Sequence, residues 1–192
     1  MPAVGGLRLY GLAKYLPDYG WNPIILTPVL PGEPDSRFRV IQTPYDDVVA
    51  LWKKRMGLNT KESLNEQFGV SKAKNQPSII DRFVYPLNEI ITYPDAQKGW
   101  YKYAIMAGDR LLRETRVDAI LSSSNPATCH LIARDLAEKY QIPWVADLRD
   151  LWTQDHYLNH CAPRRFAEKR LELRTLGKAS ALVTVSKPLA DD

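Results

Sequence analysis

The sequence has 192 residues, of which 45% are hydrophobic, 10% aromatic and 25% charged, the profile of one soluble globular domain able to bury a core. No stretch approaches the roughly 18 consecutive apolar residues of a membrane span, and the start lacks the basic-then-apolar layout of a signal peptide, so a spanning or secreted protein is not expected. A net charge of +4 is too mild to mark a nucleic-acid binder. Cys129 and Cys161 stand alone in the sequence; they give neither a zinc site nor a disulfide framework and suit a reducing cytoplasm.

In chain order, Leu9, Leu12, Ala13 and Leu16 recur at steps of three and four, predicting a helix over 5–19 that Pro17 and Gly20 close. The short apolar runs 22–28 and 39–44, separated by a loop holding Pro31, Gly32 and Pro34, read as buried strands. Residues 46–92 are irregular, with a short candidate helix over 47–56, and read as an insertion in a simpler fold. A long helix over 95–114 carries the stripe Trp100, Ala104, Ala107 and Leu111. Strand and helix then alternate, with strands at 117–122, 143–148 and 181–186 and helices at 127–140 and 163–178. Such alternation implies a Rossmann-like α/β fold, a parallel sheet with helices on both faces.

Both ends look unlike a complete domain. Only Met1 to Val4 precede the glycine turn at Gly5-Gly6, where a doubly wound fold expects a buried strand. At the other end Ser186-Lys187-Pro188 resembles a helix start. The expectation is a fragment of a longer protein, short of its first strand and followed by a second domain.

In a parallel sheet the ligand crevice lies beyond the carboxyl ends of the strands, which directs attention to four segments. Gly5 and Gly6 with Arg8 could bring backbone amides and a cation to a phosphate, although a tight turn explains the glycines as well. Ser122-Ser123-Ser124-Asn125-Pro126 leads into a helix with His130 in its first turn, offering hydroxyls and amides to an anion or a sugar, or simply capping the helix. His130 lies off the stripe of Leu131, Ile132 and Leu136, so it is not expected in the core, and a helix N-terminus favours its neutral form. Asp147, Arg149, Asp150 and Trp152 follow a buried strand. Carboxylates there can take a proton from a hydroxyl nucleophile and Arg can hold developing negative charge, while an internal Asp–Arg pair is the structural alternative. Tyr93 and Asp95 precede the long helix, where Asp95 is a natural N-cap. His156 and His160, four apart beside Cys161, form at best a weak metal pair, and no metal site is expected.

Taken in order, Pro2-Ala3-Val4-Gly5-Gly6-Leu7-Arg8, Leu12-Ala13-Lys14-Tyr15-Leu16 with Gly20-Trp21, Leu26-Thr27-Pro28, Tyr93-Pro94-Asp95 with Trp100, Ser122-Ser123-Ser124-Asn125-Pro126 with His130, Asp147-Leu148-Arg149-Asp150-Leu151-Trp152 and Ala181-Leu182-Val183-Thr184-Val185-Ser186 resemble the amino-terminal domain of GT-B glycosyltransferases of the retaining GT4 type (glycosyltransferase group 1). The resemblance implies two Rossmann-like domains across a cleft, the acceptor held mainly by this one and a nucleotide-sugar mainly by an absent carboxyl-terminal domain. It implies transfer of a sugar to a glycan or lipid-linked acceptor without a metal cofactor, and no transfer by this chain alone. Gly5, Gly6 and Arg8 would face the donor diphosphate. Asp147, Arg149 and Asp150 would form the catalytic segment, with the family's catalytic position, often a His, falling at or beside Arg149. Tyr93, Asp95, Ser124, Asn125, His130 and Trp152 would meet the acceptor. A non-catalytic module reading carbohydrate or protein, and an NDP-sugar epimerase, are the alternatives. The basic clusters Lys53-Lys54-Arg55 with Lys72 and Lys74, and Arg164-Arg165, Lys169-Arg170 and Arg174, read as solvated helix faces. The sharper reading is peripheral attachment at the inner face of a membrane, with Trp52 and Met56 as anchors.

Overall fold

The computed structural model describes residues 4–55, 89–154 and 160–191. The expected alternation is present, with edges shifted. Helix α1 (Val4–Tyr15) starts ahead of Gly5, so both glycines lie in its first turn and not in a turn before it. A 3-10 turn, Leu16–Tyr19, with Pro17 at its start, ends at Gly20 in the left-handed conformation, φ 82°. Strands β1 (Ile24–Pro28) and β2 (Arg39–Thr43) pair in parallel, Ile24 opposite Arg39 through Pro28 opposite Thr43. Helix α2 (Val48–Arg55) follows; the rest of the expected insertion to residue 88, including Met56, Lys72 and Lys74, lies outside the described residues.

The long helix is a 3-10 turn, Ala96–Trp100, continued by α3 (Tyr101–Glu114). Its buried stripe runs through Trp100, Ala104 and Gly108 and not through Ala107 and Leu111. A Cβ on Gly108 would sit 2.5 Å from Leu136 Cδ1, so the missing side chain lets α3 approach α4 (Thr128–Tyr140) closely. Strand β3 is Ile120–Ser124, later than the apolar run suggests. Pairing with β4 (Trp144–Leu148), Ser123 opposite Asp147 and Ser124 opposite Leu148, carries the strand through serines that hydropathy alone treats as loop. Helix α5 (Ala162–Leu176), strand β5 (Ala181–Thr184) and helix α6 (Lys187–Asp191) complete the described chain.

All described strand pairs are parallel, but they form two ladders, β1-β2 and β3-β4-β5, instead of one sheet. Among the described residues no strand pairs the free edges of β1 and β3; the two ladders share a floor of α3 and α4. There Trp100, Ala104, Ile132 and Leu136 form a buried cluster on which both Leu26 of β1 and Ile120 of β3 pack. Ala133, Ala137, Trp144 and Ala146 form a second cluster, closed by Leu176 at the end of α5 and Ala179 just beyond it. The other face is thinly covered. Leu121 and Val183 are 42% exposed there, and Leu182 on the floor side of the edge strand β5 is 55% exposed, so among the described residues the expected cover of helices on both faces is only partial.

Candidate functional site

Side chains alternate along a strand, and at the carboxyl ends of β3 and β4 this alternation separates two polar networks. On the thinly covered face, Asp147 is 1% exposed and receives Arg8 from α1: Nε stands 3.0 Å from each carboxylate oxygen and Nη2 2.7 Å from Oδ1. Ser123 donates to Oδ2 at 2.8 Å. Burial pushes the Asp147 carboxyl up, but the bonds from Arg8 and Ser123 and the charges of Arg8 and Arg149 outweigh it and hold it below the usual range. Its bond to Asp147 raises the Arg8 pKa. Arg8 and Asp147, expected at a donor phosphate and in catalysis respectively, are thus brought together and engage each other.

On the opposite face Ser122 accepts from Trp144 Nε1 at 2.8 Å and lies 2.7 Å from His130 Nδ1. A serine hydroxyl can donate to that nitrogen or accept from it, so the contact is made in either tautomer, while Nε2 is a buried atom without a hydrogen-bond partner among the described residues. His130 is fully buried, with its ring 6.1 Å from that of Trp144 and 6.3 Å from that of Trp152. This corrects the expectation that it stands outside the core: being off the leucine stripe of α4 turns it toward the serine face of β3. Burial lowers its pKa to about 4, opposed by the charge of Asp147. The ring is neutral, as expected, but desolvation is the leading cause and not the helix terminus.

Between the segment 92–97, the approach to α4 at 125–127 and α5 opens a cleft of about 340 Å³. Three of the expected acceptor residues, Asp95, Asn125 and Trp152, line it. Asp95 caps two helical segments at once, accepting from Gln97 N at 2.8 Å, Thr128 N at 2.7 Å and Thr128 Oγ1 at 2.8 Å. Arg149 donates to the carbonyl oxygens of Ser124 (2.6 Å) and Asn125 (3.3 Å), fixing the wall that Asn125 presents. Asp150 is exposed and has no hydrogen bond or ion pair among the described residues.

The remaining acceptor candidates point elsewhere. Tyr93 donates to Ala167 O at 3.3 Å on α5, and its hydroxyl pKa is raised by burial and by Glu168. Ser124 is 1% exposed with an unpartnered Oγ among the described residues. Gly5 and Gly6, in the first turn of α1, keep backbone amides at a helix start.

Sequence reasoning missed Gln97, His160, Arg164 and Glu168, which also line the cleft. Arg164 is 9% and Glu168 3% exposed, and they pair at 2.8 Å. That corrects the picture of Arg164 on a solvated face; the i, i+4 spacing of the pair was the available signal. His160 Nδ1 lies 3.2 Å from Glu89 Oε1, so it has an acidic partner from a distant segment. His156 lies outside the described residues. Lys53 is likewise buried, at 6% exposure, while Lys54 and Arg55 are exposed. Burial pushes the Cys129 thiol up to about 12. Among the described residues no group of three or more His, Cys, Asp or Glu side chains could hold a metal ion, and no helix is long and apolar enough to cross a membrane.

Comparison with family models, with curated proteins and with solved structures yields no match.

Proposed function

We propose that this chain is the acceptor-side domain of a GT-B-type glycosyltransferase, moving a sugar from a nucleotide-sugar to a glycan or lipid-linked acceptor. The observation that supports this reading is the convergence, beyond the carboxyl ends of parallel strands, of Asp95, Asn125, Arg149 and Trp152 on or beside one cleft. In this reading the acceptor hydroxyl enters along Asn125. Arg149, anchored through Nε and Nη2 to the backbone beside Asn125, turns its remaining N–H donors to negative charge developing on the leaving diphosphate. Asp150 is the exposed carboxylate that takes the acceptor proton. Asp147 acts through Arg8: their bidentate contact fixes the start of α1, and with it the amides of Gly5 and Gly6, at the carboxyl end of β4.

A second reading, a non-catalytic binding module, draws support from that same contact, because Arg8 and the Asp147 carboxylate are committed to each other. The test is a screen of labelled nucleotide-sugars with the full-length product of the gene. Labelled glycan or glycolipid product is expected. Absence of transfer from every donor, with acceptor binding retained, contradicts the enzyme and leaves the module.

A further inference from the structure

The cleft walls carry charged groups, yet these groups are spent on one another. Besides Glu168, Arg164 bonds the carbonyl oxygens of Glu89 at 2.5 Å and Pro94 at 3.3 Å, and Thr92 Oγ1 at 3.0 Å. Asp95 has its three donors from Gln97 and Thr128. Arg149 is not part of this lining; through Nε and Nη2 it holds backbone oxygens beside the cleft, and its remaining donors belong to the diphosphate side in the reading above. The side-chain amides of Gln97 and Asn125 remain; both residues are exposed and line the cleft, with no side-chain partner among the described residues. The indole of Trp152 stands beside them.

We infer that this cleft selects an uncharged, polyhydroxylated ligand, a saccharide unit free of phosphate, sulfate or carboxylate. The inference rests on the acceptor reading above and deepens it. An anion entering the cleft would meet two carboxylates, Asp95 and Glu168, a His160 ring whose nitrogens already face Glu89 (3.2 Å) and Glu168 (3.8 Å), and a guanidinium that is buried and already hydrogen-bonded; to recruit Arg164 it would have to take from the buried Glu168 its closest ion-pair partner. A cation would find both carboxylates already neutralised, Glu168 by Arg164 and Asp95 by helix-start amides. Primary amides suit hydroxyls, since each offers donors and an acceptor and a hydroxyl can answer either.

The experiment applies the fluorescently labelled 192-residue chain to an array carrying uncharged glycans beside phosphorylated, sulfated and uronic-acid glycans. Retention is expected on uncharged glycans. A Gln97→Ala, Asn125→Ala double variant of unchanged melting temperature is expected to bind them on the order of tenfold more weakly, the loss of about two hydrogen bonds. Preferential retention of anionic glycans, no retention of any uncharged glycan, or equal binding by the folded double variant overturns the inference. Binding of uncharged glycans together with a negative donor screen overturns the transferase and leaves the inference standing.

Discussion

Ser122 and Ser123 are neighbours on β3, yet they head unlike networks. Ser122 joins a neutral, sealed cluster with Trp144 and His130. Ser123 joins an ionic one, in which Asp147 is buried but its partner Arg8 is 34% exposed. The neutral network is bound to the core through Trp144, which is 1% exposed and packs with Ala133, Ala137 and Ala146. The ionic one ties a helix to the strand ends through a contact that water can reach, so it is the weaker tie and the better placed to respond to a ligand.

This contrast can be broken from either side. The largest expected effect is Trp144→Ala, which empties a fully buried site and removes the donor to Ser122; unfolding in urea should show a loss of about 3–5 kcal/mol. Asp147→Ala leaves Arg8 without its partner, but because Arg8 is partly solvated the loss should be smaller, about 1–3 kcal/mol by the same measurement. If Asp147→Ala costs as much as Trp144→Ala, the ionic network is part of the core and the contrast fails.

Acid sharpens it further. His130 titrates near 4 in the folded chain, below the ordinary value of 6.5, so the unfolded chain binds the extra proton first. Stability should fall as pH drops from about 6.5 toward 4, by up to about 1.4 kcal/mol per unit, and His130→Phe should flatten that slope. Asp147 is held below its usual range; its contribution is complete above the unfolded value near 3.9 and is lost as pH falls through the folded one. The neutral network therefore weakens first on acidification, at mildly acidic pH, and the ionic one only below about pH 4. The smallest effect on stability belongs to Arg149→Ala, about 1 kcal/mol in urea, since truncating this half-buried side chain opens a path for water to the carbonyl oxygens of Ser124 and Asn125 that it held.

The order of helices and strands was legible because parallel strands announce themselves as short apolar runs between helical stripes. The end of β3 was not, because its last three residues are serines whose strand geometry is imposed by pairing with β4. That polar and aromatic side chains gather at the end of β4 was legible from charge placed directly after a buried strand. That Asp147 would turn to Arg8, 139 positions away, was not, for a pairing at that range is a product of topology. Arg164 and His130 failed for a related reason: helical periodicity separates apolar from polar faces, but it does not tell which polar face a second layer will bury. Gln97 carries no local signal at all, and its place in the cleft exists only once Asp95 has capped two helical segments together.

The most direct test is the kcat/KM for sugar transfer by the full-length product, wild type against Arg149→Ala, with the melting temperature followed in parallel. Arg149 both holds the Asn125 wall and faces the leaving group, so the expected result is a loss on the order of a hundredfold with an almost unchanged melting temperature. Equal kcat/KM in the two proteins would contradict the placement of the reacting centre at the end of β4.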